Sequence, residues 1–266
     1  MIPYAFNYRR ATSLADAQAA LKASPDAKLL AGGQTLIAAM KMRLAQPSDL
    51  IDISGLKELS FIRAEAGQIV IGAGAKHFEV ADSADVRKTI PALASLAYSI
   101  GDPAVRHMGT LGGSLANNDP AADYPAAVLA LGATITTHTR TIAADDFFTG
   151  MFSTALDEGE IITSVSFPIP ERASYAKFPN PASRYAMAGV FVAKTKCGAR
   201  VAVTGAGAGV FRAPEMEAAL AKNFSADAVA NISVDPSDLN SDIHGSAEYR
   251  ASLVTAMAKR AVTAAL

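Results

Sequence analysis

The sequence predicts an α+β fold of two lobes followed by a smaller α+β C-terminal region with an antiparallel sheet. Three observations lead there. Residues 1–54 alternate short apolar strands with helical patterns, a β-α-β-like opening unit. Two strand-like runs flanking Glu65-Ala66-Gly67 have the glycine turn of an antiparallel hairpin and open a second lobe over 55–171. Pro168-Ile169-Pro170-Glu171-Arg172 sets two prolines in three residues, which resist helix and sheet pairing alike, so a linker is expected before a further unit at 172–266.

In order along the chain, Ser13 and Asp16 have the spacing of a capping box, and Leu14, Ala17 and Leu21 share a face, so a helix is expected from Ser13 to Ala23. Pro25 ends it. A short strand at Leu29-Leu30 leads into Ala31-Gly32-Gly33-Gln34-Thr35, a helix to about Leu44, and a strand at 50–53. After the hairpin, 77–85 and 91–100 read as helices, the second with Pro91 in its first turn, and Gly101-Asp102-Pro103 breaks the pattern. Tyr124 to Leu131 is uniformly apolar and helical; Gly132 stops it before the β-rich run 134–138. A strand follows at 161–167, then a hairpin of 185–194 and 199–206 across Lys196-Cys197-Gly198, and helices at 214–222 and 248–266.

Composition excludes several functions. Half of the 266 residues are hydrophobic, enough for a substantial core, and the net charge is −1 with no basic run interleaved with aromatics, which argues against nucleic acid. No segment has the length and apolarity of a signal peptide or a membrane span, so a cytoplasmic protein without membrane insertion is expected. Cys197 is the only cysteine, which leaves no intrachain disulfide and no iron–sulfur site of the chain's own. Redox chemistry here requires a bound organic cofactor or a partner.

Thr110 to Asp123 reads as a ligand-contacting loop, because paired glycines allow positive φ and close backbone approach and leave N–H donors uncovered for an anion. Gly32-Gly33 supplies a second such turn between a strand and a helix, an order that aims N–H groups at one point and suits a phosphate. Either pair alone reads more simply as a tight turn or a helix cap; together they point to a ligand. Neither matches the dinucleotide fingerprint Gly-x-Gly-x-x-Gly or the lysine-bearing phosphate loop. Asp123 has two readings, a polar contact to a ribose or the N-cap of the helix that follows it.

These motifs resemble the FAD-binding subunit of the molybdenum hydroxylases, the medium chain of the carbon monoxide dehydrogenase and xanthine dehydrogenase type. Lys28-Leu29-Leu30-Ala31-Gly32-Gly33-Gln34-Thr35-Leu36 is similar to the family's first flavin motif. Gly101-Asp102-Pro103-Ala104-Val105-Arg106, then Gly109-Thr110-Leu111-Gly112-Gly113-Ser114, then Asp119-Pro120 and Asp123, is similar to the second. The likeness extends over nearly the whole chain. It departs at Ser114, where Asn is common, and at His107-Met108, where an Arg-containing pair is common.

The resemblance implies a two-lobed FAD-binding domain of the PCMH type. Residues 28–36 and Thr110 to Ser114, including Gly112 and Gly113, would wrap the FAD pyrophosphate through backbone N–H groups and the hydroxyls of Thr35, Thr110 and Ser114. It further implies Asp119 in the second motif, Asp123 at the ribose, Ile100 and Ala104 lining the pocket, Ile162 against the cofactor and Lys177 near the isoalloxazine. Lys177 reads otherwise as part of a solvated loop. The resemblance also implies an FAD-dependent oxidoreductase subunit that takes electrons from [2Fe-2S] clusters on a small partner subunit, themselves fed by a molybdenum cofactor on a large partner subunit, in a dimer of heterotrimers. Two other functions share these motifs: a free-standing FAD-dependent oxidoreductase, and an assembly module that binds flavin nucleotide without redox activity of its own.

Other chemistry has little support. His77, His107, His138 and His244 lack metal-ligand spacing and read as surface or structural residues. No nucleophile elbow is present. Met40 and Met42 read as helix core or gap fillers.

Overall fold

The computed structural model describes residues 2–265. The first lobe contains β1 (Asn7–Arg10), α1 (Leu14–Ala23), β2 (Lys28–Leu30), α2 (Leu36–Lys41) and β3 (Asp49–Asp52). Its strands form a parallel sheet in the order β1-β3-β2. The Ser13 hydroxyl accepts from the Asp16 N–H and so caps α1, as the spacing predicts. α2 is shorter than expected: Arg43 turns left-handed at φ 60° and ends it before Leu44. Met40 is buried as expected, whereas Met42 faces solvent.

The second lobe runs through β4 (Ile62–Glu65), β5 (Gln68–Gly72), α3 (His77–Asp82), α4 (Ala84–Thr89), α5 (Pro91–Tyr98), α6 (Pro103–Met108), α7 (Leu111–Asn117) and α8 (Tyr124–Leu131). It continues with β6 (Thr134–Thr137), β7 (Thr141–Ala143), α9 (Ala144–Phe147), β8 (Phe148–Gly150), β9 (Ser153–Thr154) and β10 (Ile162–Pro168). The sheet order is β4-β5-β10-β6-β7, antiparallel throughout. Gly67 takes φ +78° at the β4–β5 turn, which the hairpin reading requires.

The helices not legible in the sequence include α4, which follows α3 after a break at Ser83 where one helix over 77–85 was expected, the short α9, and two beside the central motif. The expected break at Gly101-Asp102-Pro103 is a helix start: Asp102 caps α6 by accepting from the Val105 N–H, with Pro103 at the first helical position. The expected loop after Thr110 is α7, capped by the Thr110 hydroxyl.

The remaining chain forms β11 (Arg172–Pro179), β12 (Ala186–Thr195), β13 (Gly198–Thr204), β14 (Phe211–Arg212), α10 (Pro214–Lys222) and α11 (Ala247–Ala265). Its four strands pair antiparallel in chain order. The stretch around Lys177, open to a loop reading, is the edge strand β11. Leu266 of the expected last helix lies outside the described residues. All eight residues of α8 are buried, because the helix lies between the second-lobe sheet and the β12–β13 face; that position explains its uniformly apolar composition. The other face of the β11–β14 sheet packs against α10 and α11 around Val190, Val192, Met216 and Met257. Among the described residues no helix is long and apolar enough to cross a membrane.

Candidate functional site

A cleft of about 840 Å³ lies where the β2–α2 turn of the first lobe faces the start of α7. It is lined by every residue from Lys28 to Leu36, including Leu29, Leu30, Ala31, Gly32, Gly33, Gln34 and Thr35, and by Thr110, Gly112, Gly113 and Ser114. Ile100, Asp119, Asp123 and Ile162 complete the set that the sequence singles out on this surface. Ala104 and Lys177 are not on it: Ala104 is exposed on α6, and Lys177 is buried behind the wall. A separate hollow of about 750 Å³ between β8, β14 and α10 contains none of these residues.

The two glycine turns differ physically. In the first, only Gly33 needs a left-handed backbone, at φ +70°. Gly32 is there for contact: a Cβ on it would sit 2.2 Å from the Met108 carbonyl oxygen, where the two lobes touch. Among the described residues, the N–H groups of Gly32, Gly33, Gln34, Thr35 and Leu36 have no hydrogen-bond partner, so this turn offers a row of free donors.

The second turn corrects the expectation of positive φ and uncovered N–H groups. Neither Gly112 nor Gly113 has positive φ, since both lie in α7. The Leu111 and Gly112 N–H groups donate to Ala75 and Ala73 carbonyls at 3.0 and 2.8 Å, and Gly113 donates to Thr110 Oγ1 at 3.1 Å. A Cβ on Gly112 would meet Ala73 Cβ at 2.6 Å, whereas one on Gly113 meets only Thr110 Oγ1. Gly112 seats the helix on the sheet, and Gly113 leaves bare backbone facing the cleft. The Ser114 and Thr35 hydroxyls have no hydrogen bond among the described residues, and Thr110, which accepts through its oxygen, keeps its own proton to donate.

Asp123 does not cap α8 with its side chain. Its carboxylate accepts from the Tyr175 hydroxyl and from Lys177 Nζ at 3.1 Å, and Lys177 also donates to the Ser99 carbonyl at 2.9 Å. Both charged side chains are less than 10% exposed. Burial pushes the Asp123 pKa up against the pull of the lysine. The pair joins β11 to the start of α8 and the end of α5.

Glu160, which sequence reasoning did not single out, also lines the cleft. It accepts from Thr137, Thr139, Arg140 and the Asp157 N–H, and the Arg140 guanidinium leads these in holding its carboxyl well below the usual range. Arg10 and Tyr185 are further lining residues, with no local motif to announce Arg10. His77 is a third. It is buried at the start of α3, 5.3 Å from the Tyr124 ring between centroids; neither its Nδ1 nor the Tyr124 hydroxyl has a partner.

Burial, followed by the nearby Arg106 charge, lowers the His77 pKa to about 4. Between pH 6.5 and about 4 the unfolded chain therefore takes up a proton that the folded chain refuses, and stability declines as pH falls through that window. We expect His77 to account for a loss on the order of 3 kcal/mol across it. Denaturant unfolding at several pH values should show a flatter profile for His77→Phe. Parallel profiles for parent and variant would remove the histidine from the acid response.

Two backbone turns on separate lobes, one with free N–H donors and the other with bare helical backbone and free hydroxyls, give this α+β protein a cleft suited to a phosphate-bearing ligand without a Rossmann motif. Residues 4–170 match the family described as the FAD binding domain in molybdopterin dehydrogenase. The chain is 36% identical to the carbon monoxide dehydrogenase medium chain of Hydrogenophaga pseudoflava, with 100% of this chain and 98% of that one covered. It is 35% identical to the nicotine 6-hydroxylase medium subunit of Paenarthrobacter nicotinovorans, covering 98% and 97%. The solved carbon monoxide dehydrogenase from Hydrogenophaga pseudoflava superposes with a TM-score of 0.90 at 36% identity, over 100% of this chain and 98% of that chain. The chain belongs to this family: it is an FAD-binding medium subunit of the molybdenum hydroxylases, and hence part of an oxidoreductase.

Proposed function

We propose that this chain is the electron-transfer subunit of its complex, passing electrons from iron–sulfur clusters on a small partner subunit through FAD to an acceptor. The substrate is oxidised at a molybdenum cofactor on a large partner subunit. Bound flavin supplies the exchange between single electrons and electron pairs. The observation that carries this reading is the convergence of residues 28–36 and 110–114 on one cleft. A single cysteine supports placing the clusters elsewhere.

In this reading the free N–H groups of Gly32 to Leu36 and the hydroxyls of Thr35, Thr110 and Ser114 hold the diphosphate, and Gly113 leaves the space that it occupies. Ile100, Leu36 and Ile162 exclude water from the cofactor. Asp119 and Asp123 serve the polar end of the nucleotide. Lys177 acts by orienting Asp123, while Ala104, exposed on α6, is left out of the cofactor contacts. The division into a flavin-binding unit, 1–171 with lobes 1–54 and 55–171, and a closing unit, 172–266, belongs to the same proposal. So do a cytoplasmic location and a dimer of heterotrimers.

Purification through a tag on this chain tests it. The preparation should contain flavin stoichiometric to the chain, released on denaturation, and should carry iron and molybdenum on co-purifying subunits. A preparation that stays colourless after FAD is added overturns the reading. Turnover of a small molecule by the isolated chain would instead make it a free-standing oxidoreductase.

A further inference from the structure

Four large apolar side chains stand in solvent at one place on the first lobe. Ile2 is 81% exposed, Leu44 82%, and Met42 and Tyr4 lie beside them with about half their surface free. Arg43 joins the two segments: its guanidinium lies 4.8 Å over the Tyr4 ring, and its Nε donates to the Ile2 carbonyl at 3.5 Å.

The backbone is built to hold this surface out. The Leu44 N–H donates to Ala39 and the Arg43 N–H to Met40, closing α2 with a left-handed residue where glycine is usual. In such a closure the residue after the left-handed one ordinarily folds its side chain back against the helix; Leu44 does not. An exposed apolar cluster containing Met, Tyr and Arg has the composition of an interface centre.

Two cations belong to it. Among the described residues, Lys41, which ends α2 next to Met42, and Arg43 have no carboxylate within ion-pair distance. Ala39 and Ala45, on either side of the exposed turn, both line the cleft, so the surface adjoins the cleft wall.

The geometry points to the Ile2, Tyr4, Met42 and Leu44 surface as the docking face for the protein that delivers electrons to the cleft, a redox partner presenting an apolar socket ringed by carboxylates. This rests on the electron-transfer reading above. The unpaired cations select an acidic partner and steer its approach, while the apolar centre holds it. Contact at this turn brings the partner to the lobe that carries the free N–H row, with little protein between it and the cofactor.

The test uses the complex isolated through a tag on this chain, with iron and FAD measured per chain. Met42→Glu with Leu44→Glu should lower iron at least tenfold while FAD content and melting temperature stay at parent values. Ile2→Glu, which alters no helix, should lower iron in the same direction. Lys41→Gln with Arg43→Gln should make iron retention less sensitive to salt. Undiminished iron in the glutamate variants overturns the docking face while leaving the electron-transfer reading intact; a parent preparation with FAD but no iron overturns both. Retained iron together with a loss of self-association would assign the surface to contact between copies of this chain and likewise overturn the proposal.

Discussion

Gly113→Val is expected to leave the chain folded and strip it of flavin, whereas Gly112→Val, one residue earlier, is expected to destabilise the fold itself. The two glycines share a helix but not an environment. A Cβ at Gly113 meets only the Thr110 hydroxyl oxygen, 2.9 Å away at the end of a side chain that can rotate, and the rest of the new side chain enters the cleft. Disturbing the Thr110 cap costs about 1 kcal/mol, and replacing a helical glycine returns several tenths. The melting temperature should therefore move by only a few degrees. Flavin affinity should fall about 100-fold or more, roughly 2.8 kcal/mol, because the branched side chain occupies the space proposed for the diphosphate.

At Gly112 the added atoms meet the Ala73 Cβ, carbonyl oxygen and Cα, at 2.6 to 3.0 Å. Backbone cannot rotate away, so α7 must lift from the end of β5, and the Gly112 N–H bond to Ala73 is lost with it. Overpacking of this kind costs about 1–3 kcal/mol, more when a backbone bond breaks as well. Gly32→Val should behave like Gly112→Val, since it would force Met108 and Gly109 away from the first lobe. Flavin absorbance per chain, with circular dichroism and thermal melting of each variant, checks all three. Full flavin content in folded Gly113→Val would contradict the assignment of the cleft.

Asp123→Ala is expected to destabilise the protein even without flavin, by about 3–5 kcal/mol. The substitution leaves the Lys177 ammonium buried with only the Ser99 carbonyl, and the Tyr175 hydroxyl with no acceptor. Removing one member of a buried ion pair is costly because the survivor keeps its desolvation penalty without its partner. Asp123→Leu combined with Lys177→Met should recover much of the loss, since an apolar pair of similar volume removes both charges. Melting of the parent, Asp123→Leu, Lys177→Met and the double variant, each with and without FAD, separates stability from binding. If Asp123 acts on the ribose alone, the apo-protein will melt as the parent does, and only flavin affinity will fall, by about 1–3 kcal/mol.

The elements that could be read from sequence are those whose local signals agree with their surroundings. α8 runs from Tyr124 to Leu131 as expected, with Gly132 left-handed at φ 62° behind it, because apolarity, length and stop signal coincide. The β12–β13 hairpin and α10 were legible for the same reason. α7 was not. Two glycines in seven residues weaken helix propensity and outweigh the local Thr110 cap, and the helix forms because the Ala73 and Ala75 carbonyls, which no local window contains, take its first N–H groups. β11 was obscured by prolines and polar residues at its end, Pro179-Asn180-Pro181, although Arg172 to Pro179 pairs along nearly all of β12.

By itself the sequence marked two glycine turns as candidates for one ligand, because paired glycines permit close backbone approach, and it carried the family likeness in those turns. Only the tertiary structure decided how the work divides. Gly32 and Gly112 hold the lobes and layers together, Gly33 bends the chain and Gly113 leaves the opening; Asp123 is committed to Lys177 from another sheet. The reason is that a Cβ clash or a buried charge depends on what arrives from elsewhere in the chain. Met108 comes to Gly32, Ala73 to Gly112 and Lys177 to Asp123 across separations that no local pattern spans.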